Sequence, residues 1–154
     1  MKRILTLLLC IVLITGTQAT LTYPAPEWPF NVSVEAEGAV LMDARSGAVI
    51  YGKNLHSDYY PASITKIMTA LIAIRDCNLS DMVTVGPETV ITETGASLAH
   101  INPGDTLTME QLLYGLMLPS GNDAGAAIAV HMAGSTDAFA EKMNETAHAL
   151  GSTD

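Results

Sequence analysis

The chain has 154 residues, 16 of them acidic and 7 basic, giving a formal net charge of −9. That length is enough for one domain and hardly for two. The acidity argues against nucleic acid as a partner, and against adhesion to anionic lipid through a basic patch.

The chain opens on what reads as an export signal. Lys2 and Arg3 form a basic start, residues 4–14 are almost unbroken apolar, and Thr17-Gln18-Ala19 is a small-residue cleavage site. The apolar run is short for a membrane span, so cleavage is the expectation. Residues 1–19 are then a signal peptide, and the remaining 135 residues carry five basic and 16 acidic side chains, a charge of −11. Leu7-Leu8-Leu9-Cys10 superficially resembles a lipoprotein site, but the cysteine comes early in the run and follows bulky leucines. Cys77 is left alone in the mature chain, which excludes an internal disulfide and a cysteine-rich metal site.

Residues 20–34 are rich in Pro, Thr and Ser and read as an extended lead-in. Ala39-Val40-Leu41-Met42 is an apolar strand, residues 43–47 a turn, and Ala48-Val49-Ile50-Tyr51 the returning strand of a hairpin. Residues 52–62 are a polar loop. A helix is predicted from about residue 63 to 75. Ile67, Met68, Leu71, Ile72 and Ile74 give it a broad apolar surface, so deep burial is expected. A short strand follows at residues 82–85, then a loop-rich segment over 86–107.

Thr108-Met109-Glu110-Gln111 matches a capping box and starts a helix that runs to about residue 118. Pro119-Ser120-Gly121-Asn122 breaks it. An alanine-rich helix covers about 123–132, and a last one covers about 136–150, with Gly151 as its stop. Met68, Met109, Met117, Met132 and Met143 sit at helical spacings and read as core.

Two short strings carry chemistry. Ser63-Ile64-Thr65-Lys66 puts a serine one turn before a lysine at a helix start. Residues i and i+3 share a helix face, with Cβ atoms about 5–6 Å apart. A serine hydroxyl is a poor nucleophile without such a base, and a helix N-terminus favours an oxyanion. The second string is Ser120-Gly121-Asn122, held between two apolar helices. Its serine can relay a proton, and its asparagine can both donate to and accept from a bound amide. Each string alone is weak, since Ser-Gly-Asn is also a common turn. In this order, and inside longer matching strings, they are strong.

With Pro61-Ala62 before Ser63, Met68-Thr69 after it, and the run from Leu112 to Ala124, the chain resembles the N-terminal part of serine D-alanyl-D-alanine carboxypeptidases. These are low-molecular-mass penicillin-binding proteins, and the likeness runs from about Ala39 to Gly151. Class A β-lactamases typically carry Ser-Asp-Asn where this chain has Ser-Gly-Asn. The resemblance implies an α+β fold of the serine β-lactamase and penicillin-binding transpeptidase type. It implies Ser63 as nucleophile, Lys66 as general base, Ser120 as proton relay and Asn122 as holder of the substrate amide. The implied substrate is the D-Ala-D-Ala end of peptidoglycan stem peptides, with β-lactams as covalent inhibitors and no metal or cofactor. It further implies roles in cell-wall organisation and cell shape, and a place on the periplasmic or extracytoplasmic face of a bacterial membrane. Association with that surface through a C-terminal segment outside this chain belongs to the same expectation.

One departure stands out. No Lys-Thr-Gly or Lys-Ser-Gly follows Asn122. In the family that motif lies on a later strand, which binds the substrate carboxylate and lends one oxyanion-hole amide. The expectation is therefore a truncated fold: hairpin plus helical lobe, with the C-terminal sheet strands missing. Residues 35–154 would be the N-terminal part of the catalytic domain. The alternatives are a non-catalytic remnant of the fold and a serine β-lactamase relative.

The remaining candidates are weaker. His56, His100, His131 and His148 are scattered and lack paired ligand spacing. Asn31, Asn78 and Asn144 begin glycosylation-type triplets that read as chance. Ser97 and Asp105 have no partner placed beside them by sequence.

Overall fold

The structure, a computed structural model, describes residues 33–152; the expected signal peptide and most of the lead-in lie outside the described residues. The chain divides into two units, Met1–Tyr59 and Tyr60–Asp154.

The first unit contains the hairpin. β1 (Ala39–Met42) pairs antiparallel with β2 (Val49–Lys53), with Ala39 opposite Lys53 and an irregularity at Leu41/Met42. The returning strand starts one residue later than the sequence predicts and runs two residues further, because Gly52 and Lys53 still find ladder partners. The turn is closed by Asp43, whose Oδ1 accepts from the Ser46 amide at 2.8 Å and the Ser46 hydroxyl at 2.6 Å. Those bonds hold the Asp43 carboxyl below its ordinary range. Val40, Leu41, Met42 and Val49 remain exposed.

The second unit is mostly helical. A 3-10 turn (Ala62–Ile64) leads into α1 (Thr65–Asp76). β3 (Met82–Thr84), β4 (Thr106–Thr108), α2 (Met109–Met117), α3 (Asn122–Ala133) and α4 (Thr136–Ala149) follow. β3 and β4 pair antiparallel, Met82 opposite Thr108, with the Thr84 and Thr106 hydroxyls bonded at 2.9 Å. β4 begins at the end of the segment expected to be loop and finishes on Thr108, the residue that caps the next helix. Thr106-Leu107-Thr108 alternates as a strand should, but its partner lies over 20 residues away and three residues give little periodicity.

The α2 start follows the capping box: Gln111 N donates to Thr108 Oγ1 at 3.1 Å, and Thr108 N donates to Gln111 Oε1 at 2.8 Å. Ser135 caps α4 by accepting from Ala138 N at 3.0 Å. Small residues let α2 and α3 approach closely, with Ala124, Ala127 and Ile128 packed against Leu112 and Leu116. Each fully buried Leu or Ile contributes about 1.5–3 kcal/mol of transfer free energy. A second cluster joins Ile72 of α1, Ala129 of α3 and Phe139 of α4.

The deep burial expected of α1 holds for one face only. Ile72 is buried with Thr69, Ala70 and Ala73, whereas Ile67 and Ile74 are 59% and 60% exposed and Leu71 is exposed too. Apolar periodicity reports what a helix could bury; among the described residues the neighbours of α1 cover one face fully and leave Ile67, Leu71 and Ile74 exposed. Met109 is fully buried as expected of core, but Met117 is 48% exposed at the far end of α2.

Candidate active site

Ser63 sits in the 3-10 turn, one residue before the N-cap of α1, and not on the α-helix itself. Ile64, the N-cap, supplies no side-chain cap, and the Thr65 amide donates back to Ala62 O and Ser63 O within the 3-10 turn. The residue before Ser63, Ala62, has φ 48°. A non-glycine residue in that left-handed region costs about 1–3 kcal/mol and persists only where surrounding structure enforces it.

Lys66 lies in the first turn of α1, half-buried. Its Nζ donates to Ser63 Oγ at 3.4 Å and to Asn122 Oδ1 at 2.8 Å. Ser120 Oγ donates to Ser63 Oγ at 2.9 Å. The four residues singled out by sequence thus meet, although 57 positions separate Ser63 from Ser120. Ser120 also has a left-handed backbone, φ 60°, so two strained non-glycine residues flank the same hydroxyl.

The loop between α2 and α3 is held from several sides. Gly121 N donates to Gly115 O at 3.0 Å, and Asn122 N donates to Ser97 O at 2.8 Å. A Cβ on Gly121 would stand 2.7 Å from Gly115 O and 2.9 Å from Ala99 N, so only glycine fits this approach. Asp123, 1% exposed, accepts from Ala99 N at 2.8 Å, Ile101 N at 3.0 Å and Ala124 N at 2.9 Å. Burial pushes its carboxyl up, but those backbone donors outweigh it and hold the group below the ordinary carboxylate range.

Sequence reasoning placed Asp123 only as a helix start. Its one signal was an acidic residue in a helix first turn, directly after the Ser-Gly-Asn string. Of the weaker candidates, Ser97 contributes its backbone carbonyl, and Asp105 accepts from Asn102 N at 2.8 Å within a turn. Among the described residues no three His, Cys, Asp or Glu side chains come together as a metal site would need.

Chemically, the arrangement offers an exposed hydroxyl with an amine on one side and a second hydroxyl on the other. An amine and a hydroxyl so placed are within reach to take or pass a proton at the Ser63 hydroxyl.

The family described as D-alanyl-D-alanine carboxypeptidase matches residues 22–154. The carboxypeptidase DacF of Bacillus subtilis is 35% identical over 157 residues, which cover 98% of this chain and 40% of that protein. DacC of Escherichia coli is 39% identical over 130 residues, covering 79% and 32%. Among solved structures, penicillin binding protein 6B of Escherichia coli superposes with a TM-score of 0.74 at 35% identity, over 81% of this chain and 42% of that one. The carboxypeptidase DacD of Francisella tularensis gives 0.73 at 33% identity, over 82% and 31%. The chain therefore spans 40% or less of these two curated relatives. The α+β fold of the penicillin-binding type, read from the motifs, is the fold of these structures.

Proposed function

The chain belongs to the D-alanyl-D-alanine carboxypeptidase family, and from that premise we propose that the whole protein is a serine D-Ala-D-Ala carboxypeptidase. The observation that carries the reading is Ser63 Oγ, met by Lys66 Nζ at 3.4 Å and by Ser120 Oγ at 2.9 Å. In the proposed reaction Ser63 Oγ attacks the carbonyl between the two D-alanines of a peptidoglycan stem peptide. Lys66, as an unprotonated amine, takes the hydroxyl proton, reversing the direction of the bond it makes here. Ser120 passes a proton to the amine of the departing D-alanine. Asn122 bonds the substrate amide and steadies Lys66. Water then attacks the acyl-enzyme, releasing the shortened peptide and restoring the Ser63 hydroxyl.

The Lys-Thr-Gly contacts to the substrate carboxylate belong, in this proposal, to length of the whole protein beyond residues 35–154 of its catalytic domain. Residues 1–19 are proposed as the signal peptide and 20–34 as the lead-in, which places the protein on the extracytoplasmic side of a bacterial membrane. Among the described residues no helix is long and apolar enough to cross one. β-Lactams, as mimics of the D-Ala-D-Ala end, are proposed to acylate the same serine. The reaction serves cell-wall organisation and cell shape.

The test is release of D-alanine from a synthetic peptide ending in D-Ala-D-Ala by the whole protein. Release that vanishes in Ser63→Ala supports the reading. A folded protein that releases none, or a Ser63→Ala variant that releases as much, overturns it.

A further inference from the structure

Residues 97–101 carry no regular secondary structure and no strand partner, yet they touch the site at its centre. Ser97 O accepts the Asn122 amide at 2.8 Å, and Asn122 Oδ1 in turn accepts from Lys66 Nζ at 2.8 Å. What holds this segment is narrow. A cavity of about 280 Å³ lies against it, lined by Leu98, His100, Ile101 and Asp123 among others. Packing therefore supports the segment poorly on that side. His100 has φ 61°, a strained backbone for a non-glycine residue. The two amides on either side of His100, those of Ala99 and Ile101, are both taken by the Asp123 carboxylate, at 2.8 and 3.0 Å.

We infer that Asp123 is a positioning residue: its buried carboxylate strings residues 99–101 along the first turn of α3 and so fixes Asn122, and through Asn122 the lysine at Ser63. Asp123 touches no reacting atom. It is 1% exposed and acts on Lys66 through Asn122, its chain neighbour, whose amide is held by Ser97 O. Hydrogen bonds to a charged acceptor are the stronger kind, which suits one carboxylate to holding a strained backbone against an open cavity. Its third bond, to Ala124 N at 2.9 Å, ties the same group to the helix that carries Asn122.

The experiment compares Asp123→Asn with the unvaried whole protein. Asparagine keeps the shape and can still accept from Ala99, but it turns an NH2 group towards the Ile101 amide, donor against donor. The readouts are the rate constant of covalent labelling by a fluorescent penicillin per competent site, the end-point fraction labelled, and the melting temperature. The expected result is a rate constant lowered about 10- to 100-fold, following the sensitivity of catalysis to misplacement of about 1 Å. Labelling still runs to the end point, and the amides of Ala99 and Ile101 exchange with solvent faster.

A purely structural role lowers the melting temperature or the competent fraction and leaves the per-site rate unchanged; that result overturns the inference. If Asp123→Asn does not fold, Asp123→Glu, which keeps the charge but displaces the carboxylate, carries the same test. The inference rests on Ser63 being the nucleophile. An unvaried protein that is not labelled at Ser63 defeats that reading, whereas a labelled parent with unaltered variant rates defeats this inference alone.

Discussion

Gly121→Ala probes how tightly the Ser-Gly-Asn loop is seated. The backbone of Gly121, φ −64° and ψ 117°, is open to any residue, so the penalty comes from space. An alanine Cβ there would lie 2.7 Å from Gly115 O, 2.8 Å from Asp123 Oδ1 and 2.9 Å from Ala99 N, where ordinary contact begins at 3.4 Å. Two of the three neighbours are backbone, and the third is pinned by three hydrogen bonds. The loop must therefore retreat by roughly half an ångström, an overpacking that costs about 1–3 kcal/mol. Since a displacement of about 1 Å can cost 10²-fold in rate, half of that predicts roughly a 10-fold slower acylation of Ser63.

Gly125→Ala is the control. Its Cβ would meet only Leu116 Cδ1, at 3.3 Å, the end of a flexible side chain. Replacing a helical glycine by alanine also gains about 0.8–1 kcal/mol of helix propensity. The assay is thermal melting together with the per-site rate of labelling by a fluorescent penicillin, both on the whole protein. Gly121→Ala is expected to melt several degrees lower and label roughly 10-fold more slowly, while Gly125→Ala matches or exceeds the parent in melting. Two variants that melt and label alike would refute the argument.

Lys66→Arg keeps a long basic side chain but cannot supply an unprotonated base, so acylation is expected to fall by about 10²–10⁴-fold in stopped-time labelling; a near-normal rate excludes Lys66 as the base. Ile128→Ala, at a site with 0% exposure between α2 and α3, is expected to cost about 2–5 kcal/mol in urea unfolding. Its per-site labelling rate should be preserved where the protein remains folded. Asp76 takes a hydrogen bond from Arg75 at 2.7 Å and an ion pair from Lys142 at 2.8 Å, which hold its carboxyl well below the ordinary range. A carboxyl lowered in the folded state adds stability that is present above the unfolded value of about 3.9 and is lost as pH falls through the folded value. The melting difference between Asp76→Asn and the parent should accordingly be seen at pH 7 and shrink in acid; a difference that grows in acid contradicts the assignment.

The legible parts of this chain were those written in local spacing. Ser63 and Lys66 are three residues apart, and the capping box at Thr108 and Gln111 likewise, so their meeting needs no knowledge of the rest of the fold. Ser120 and Asn122 were legible as a string between two helices, and their approach to Ser63 came from resemblance, since no local rule spans 57 residues. Asp123 was illegible for the same reason: the amides it holds lie 22 and 24 residues upstream, in a segment with no pattern of its own. β4 was missed because three alternating residues resemble a loop until their partner is known. Deep burial of α1 is too strong an expectation because apolar residues around a helix show what it can cover; here Thr69, Ala70, Ile72 and Ala73 are buried and Met68 is partly so.

The most direct measurement is mass spectrometry of the whole protein after exposure to penicillin, with digestion to locate the adduct. The account predicts one penicilloyl group per molecule, on Ser63, and none in Ser63→Ala. An adduct on Ser120, or no adduct in a protein shown to be folded, would contradict the claim that Ser63, Lys66 and Ser120 form an acylation site.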